Sequence, residues 1–215
     1  MKKYLIIALA AFGLAACAKD DLADGNKPIH SGEIEESYIA INLAASENTR
    51  AQGGEYVDGA TTERAVKTAH FFFFKDGAPF PVNVTGDTVT SPGGTINHLS
   101  TTLSGSEENM NNVSDVKNAV LLLSSYKGEY PNQIVAVLNW NPVPTKAYYL
   151  SELETAVNLA TEYEGTDYFV MSNAVYAAGN IVMKATPLTE NNIKTTEDAA
   201  MAAPVQIYVE RVAAK

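Results

Sequence analysis

Apolar residues along this chain fall into three patterns, and each predicts a different element. The first is a continuous run from Tyr4 to about Leu14, shorter than the roughly 20 residues that a bilayer span needs. The second is alternation. In Ser37-Tyr38-Ile39-Ala40-Ile41-Asn42-Leu43-Ala44, residues Ile39, Ile41 and Leu43 share one face and small or polar residues share the other. That is the pattern of a half-buried strand, here over 37–45. Val205, Ile207 and Val209 alternate in the same way with Gln206, Tyr208 and Glu210, predicting a strand over 205–212. The third pattern is unbroken apolarity. Val66 to Phe74, with Phe71-Phe72-Phe73-Phe74, runs into an Asp76-Gly77 turn, and Ile134 to Trp140 is ended by Asn141-Pro142. Both read as central strands covered on both faces. Further strands are predicted over 119–126, 168–176 and 180–186, with short ones near 82–84 and 95–103 in a Thr-, Ser-, Asn- and Gly-rich stretch.

One helix is predicted over about 151–163. Ser151 and Glu154 have the spacing of a capping box, and Leu150, Leu153, Val157 and Leu159 or Ala160 form one apolar stripe. Seven or eight strands with one helix, without strand–helix alternation, predict an all-β sandwich whose helix covers or closes the sheet.

The remaining apolar run is a targeting segment. Lys2 and Lys3 precede it, and it closes on Leu14-Ala15-Ala16-Cys17. That closing segment resembles a bacterial lipobox, which implies cleavage after residue 16 and lipidation of Cys17. Cys17 is the one cysteine of the chain, so no disulfide can form and stability must come from a packed core. Ala18-Lys19-Asp20-Asp21 is similar to the short acidic signal that sends lipoproteins of the Bacteroidetes to the cell surface. Residues 17–36 then read as a lipidated flexible tether, and 37–215 as one folded domain. Residues 46–64, polar and glycine-bearing, read as an exposed loop that carries Arg50 and Arg64.

Charge narrows the choice of partner. Loss of Lys2 and Lys3 with the leader takes the net charge from −10 to −12, which argues against nucleic acid and against docking on anionic lipid by charge. No catalytic constellation is visible. His30, His70 and His98 lack a second ligand at metal spacing, and His70 reads as a strand residue near a sheet edge. The carboxylate pairs Glu35-Glu36 and Glu107-Glu108 lie in polar stretches and read as solvated loops; Gly53-Gly54 and Gly93-Gly94 lack a phosphate-loop pattern. The expectation is a non-enzyme without metal or cofactor.

Taken in order, the lipobox at Cys17, the alternating strand followed by Asn48-Thr49-Arg50-Ala51, the strand Val66 to Gly77, and the segments Ile134 to Asn139, Tyr168 to Asn173 and Val205 to Lys215 resemble the Bacteroidetes fimbrillins. These are also called type V pilins, and the likeness is to the major subunit of the minor fimbrium. The resemblance implies a transthyretin-like β-sandwich, corresponding to the N-terminal of the family's two domains. On this resemblance the family's C-terminal domain, with the usual donor strand, is expected to be absent. It implies export as an outer-membrane lipoprotein to the cell surface and cleavage by an arginine-specific surface protease. The cut is expected between Arg50 and Ala51, with Arg64 and Ala65 as the alternative. The first strand, with Tyr38, Ile39, Ile41 and Leu43, would then leave as an edge strand. A strand from another fimbrial subunit would fill the groove, as donor-strand addition requires. A second expectation is a surface lipoprotein that binds a ligand such as a glycan, with Trp140, Tyr148 and Tyr149 as an aromatic platform. A lipoprotein enzyme is the third.

Overall fold

Four consecutive phenylalanines place the centre of the fold. In the computed structural model, which describes residues 5–7, 33–45, 66, 68–84, 96–102, 117–140, 144–159, 170–177 and 180–211, Phe71 to Phe74 are all fully buried. The strands in chain order are β1 (Leu5–Ile7), β2 (Ile34–Ala45), β3 (Thr68–Lys75), β4 (Ala78–Pro79), β5 (His98–Thr102) and β6 (Lys117–Tyr126). They continue with β7 (Gln133–Leu138), β8 (Met171–Ser172), β9 (Ala174–Ala177), β10 (Asn180–Met183), β11 (Thr186–Pro187) and β12 (Val205–Arg211). The helices are α1 (Leu150–Leu159) and α2 (Glu197–Met201), with a 3-10 turn at Glu190–Asn192.

Most strands join one sheet, in the order β1-β6-β2-β12-β8-β7-β3-β4, with β11 beside β7 and β5 beside β3; β9 and β10 form a separate hairpin. The sheet curls at β12, which pairs with β2 through Val205 to Val209 and with β8 through Glu210 and Arg211. The curl lets inner side chains from both halves share one core. Ile39, Ile41 and Leu43 of β2, Leu121 and Leu123 of β6, and Ile207 of β12 meet Phe71 and Phe73 of β3 and Ile134 and Leu138 of β7. The other face of β3 and β7 is covered by α1, whose Leu153 and Val157 pack with Phe72, Phe74, Val135, Val137 and Trp140. Two covered faces explain why β3 and β7 show no alternation. The chain is all-β with one main helix, as its patterns predict, and eight of the described strands are four residues or longer.

Several expectations shift. β2 begins at Ile34, so Glu35 and Glu36 lie on a strand, opposite Ser125 and Ser124, and not in a tether or loop. β2 is also not an edge strand, because β6 lies on one side and β12 on the other. His70 is likewise interior, since β3 pairs with both β7 and β5 at that residue. β7 stops at Leu138, before the predicted Asn141-Pro142, because Asn139 takes a left-handed conformation (φ 58°). The strand predicted over 168–176 breaks at Asn173 into β8 and β9. The Asp76-Gly77 turn forms as read, both residues having positive φ (53° and 77°), as a two-residue hairpin turn requires.

The helix starts earlier than the capping box suggests. Ser151 lies inside α1, and Glu152, not Glu154, reaches back to the backbone N–H of Tyr149 (3.2 Å). Glu154 instead accepts the N–H of Met183 in β10 (2.9 Å), which ties α1 to the hairpin. α2 has no apolar stripe to announce it; its sequence signal is Thr196, whose side chain accepts the N–H of Ala199. β1 lies in the segment read from the sequence as a targeting leader and runs parallel to β6 at Ala119 to Leu121.

Candidate functional site

The feature best suited to a partner is the position of β2 itself. Its backbone is paired along both sides. β6 runs antiparallel to it over ten register pairs, from Ile34 with Tyr126 to Leu43 with Lys117. On the other side β12 runs parallel over five, from Ile41 with Val205 to Ala45 with Val209. Ahead of β12, Lys194 closes the same side. Tyr38 donates its N–H to the Lys194 carbonyl (2.7 Å), and Lys194 donates its N–H to the Tyr38 carbonyl (2.9 Å). Gln206 adds a side-chain bond from Nε2 to the Asn42 carbonyl (3.2 Å).

Side chains divide by face as alternation requires. Ile39, Ile41 and Leu43 point into the main core and are almost wholly buried. Tyr38, grouped with them in the sequence, lies on the opposite face. There Ala40 packs with Val120 of β6 and Ala200 of α2, flanked by Tyr38 and Met201. The outer face is therefore partly covered, and β2 is more than half-buried. At the strand's start, Lys127 and Glu33 form an exposed ion pair (2.6 Å) that holds the Glu33 carboxyl below the usual range; such exposed pairs contribute little to stability.

Absence of β2 would expose two rows of unpaired backbone groups flanking an apolar trough. Another extended segment could satisfy both at once. That capacity belongs to the slot between β6 and β12, and recognising it needs no catalytic group. In the sequence the candidate cut sites follow β2, which ends at Ala45, and precede the next described residue, the buried Val66. Cys17, Arg50, Ala51, Arg64 and Ala65 lie outside the described residues, as do His30 and Glu107-Glu108.

The two described histidines are structural. His70 donates from Nε2 to the Trp140 carbonyl (3.0 Å), and its Nδ1 accepts from the Ser100 hydroxyl (2.8 Å). His98 donates from Nε2 to the Pro144 carbonyl (2.9 Å). Burial lowers the pKa of both, and that of His98 falls to about 4, with His70 contributing to the lowering. Neither ring is open to a substrate. Among the described residues, no three His, Cys, Asp or Glu side chains are grouped to hold a metal ion. The aromatic trio does not form a platform either. Trp140 is 7% exposed and packs on Phe72 and Tyr148, whereas Tyr149 is 55% exposed.

Two buried amides are absent from the sequence reading, and both act as substitute peptide groups. Asn97 donates to the carbonyls of Phe73 (3.0 Å) and Tyr148 (3.1 Å) and accepts the N–H of Tyr148 (3.2 Å), which fixes the start of α1 to β3. Asn173 does the same for β7. An asparagine next to a strand run is the one signal for either, and it is shared with ordinary turn asparagines. Compared with protein-family models and with curated proteins, the chain matches none.

Proposed function

We propose that this protein is a structural subunit of cell-surface fimbriae, assembled when its first strand is removed by proteolysis and replaced by a strand from another subunit. The observation that carries this reading is the placement of β2: it is hydrogen-bonded on both sides, yet among the described residues it is the first strand after the segment read as a leader. One cut in the chain that follows such a strand severs its covalent link to the rest of the fold, and its later displacement leaves a slot of defined shape. The lipobox at Cys17 and the arginines at 50 and 64 supply the anchor and the cut sites, and the resemblance to fimbrillins supplies the order of events. On this reading the protein is an outer-membrane lipoprotein before processing. Its partners are an arginine-specific surface protease and other fimbrial subunits. Its fold belongs with the transthyretin-like sandwiches, and it serves adhesion without enzymatic chemistry.

The test is the mass of the intact chain recovered from the cell surface. The expected N-terminus is Ala51, or Ala65 if the second arginine is used. Recovery of a chain that still begins at acylated Cys17, from cells with assembled fimbriae, would sink the proposal.

A further inference from the structure

The two faces of β2 place different demands on any strand that takes its position. We infer that the outer face is a size filter for the incoming strand, with Ala200 of α2 as the residue that sets it; the inference rests on the strand-exchange reading above.

On the inner face the trough holds Ile39, Ile41 and Leu43, so it admits branched apolar side chains at alternate positions. The outer face is shallow at one place. Ala40 is 4% exposed and Ala200 is fully buried, and with Val120 they form a separate small cluster. The distance between α2 and the strand is not free to adjust. Three residues before α2, Lys194 pairs with the backbone of Tyr38 through two hydrogen bonds, and Thr196 caps the helix. Those bonds use the strand's main chain, so any replacement backbone re-forms them whatever its sequence. A strand in this position therefore meets Ala200 at the spacing that suits alanine. A larger side chain there must push α2 away, and packed interiors resist such overpacking.

The neighbouring outer positions differ. Asn42 is half-buried, and its partner Gln206 bonds to its carbonyl, which every residue has. Ala44 is buried and lies opposite Tyr208 in the β12 register. The accepted strand thus reads apolar, small, apolar, unrestricted, apolar, small over the places of residues 39 to 44. A copy of this chain's own β12 does not fit. Its Val205, Ile207 and Val209 match the inner face, but every register that keeps them inward sets Gln206 or Tyr208 at a place held by Ala40 or Ala44. The occupant is a strand of the stated pattern supplied by another subunit, and β12 of a second copy is not that strand.

The experiment cuts the full chain with an arginine-specific protease beside excess isotope-labelled peptides spanning 33–45. Retention is read by native mass spectrometry. The unaltered peptide and an Asn42→Leu peptide should be retained alike. The Ala40→Leu peptide should be retained at least tenfold less, and an Ala200→Gly chain should recover part of that loss. Equal retention of the Ala40→Leu peptide overturns the filter. If no peptide is retained, the unaltered one included, the strand-exchange reading falls and the filter falls with it. In the uncut chain, Ala40→Leu should lower the Tm and Ala200→Gly should offset part of the drop. Lack of that coupling overturns the role of Ala200 whatever the exchange shows.

Discussion

At His98 the Nε2 hydrogen is committed to the Pro144 carbonyl, while Nδ1 is buried without a partner. A second proton would create a buried N–H with nothing to accept it, next to His70, which explains a pKa lowered from 6.5 to about 4. The consequence for stability has a definite sign. The unfolded chain takes up the proton near pH 6.5 and the folded chain near pH 4, so in between the unfolded state binds more protons. The stability linked to His98 is fully present above pH 6.5, declines as the pH falls toward 4, and levels off below it. At 1.36 kcal/mol per pKa unit, the full loss is roughly 3–4 kcal/mol. His70 shifts in the same direction and adds to it. Urea unfolding at pH 7 and pH 4.5 should show most of this loss in the wild type. His98→Gln should flatten the profile over that interval, and an unchanged slope would show that His98 does not control it.

Between elements, Asn173 does what a strand would otherwise do. β8 pairs with β7 at Val137 and Leu138, and β11 pairs with it at Gln133 and Ile134. In the gap, the Asn173 side chain accepts the N–H of Ala136 (2.7 Å) and donates to the carbonyls of Ile134 (3.0 Å) and Lys184 (3.2 Å). One amide thus satisfies the edge of a fully buried strand and ties it to the residue after β10. Asn173→Ala strands a buried donor and buried acceptors together, and should cost about 2–4 kcal/mol, measured as a shift of the urea midpoint at constant slope. A loss below about 0.5 kcal/mol would mean that water replaces the amide. The same case shows where elements can and cannot be read from sequence. β3, β6 and β7 were legible because their apolar runs exceed anything a loop would carry. The ends of strands were not, because they depend on single backbone conformations such as Asn139. The break at Asn173 was not, because a side chain that replaces a peptide group has no periodicity. α2 is too short to show a stripe, although Thr196 marks its start.

For the whole molecule the decisive fact is how much of the core β2 carries. Its inner face was legible from Ile39, Ile41 and Leu43, but its place between β6 and β12 was not, since pairing residues 41–45 with 205–209 leaves no local trace. That placement sets the energetics of processing. Full burial of three large aliphatic side chains contributes about 5–9 kcal/mol, before the hydrogen bonds on both flanks are considered. The total stability of a domain is about 5–15 kcal/mol. A shell without β2 therefore stands at or below the threshold for folding, and a cut in the chain after β2 cannot by itself release the strand into water. We expect the full chain, nicked after Arg50 or Arg64, to keep β2 bound. It should run as one species on size exclusion and as two associated fragments by native mass spectrometry. Its Tm should rise with protein concentration, as it must when folding requires two molecules to meet. Release should then follow the arrival of a competing strand and not the cut. A shell that stays folded and monomeric after the β2 fragment has been removed, with no strand in its place, would show that the core does not depend on β2.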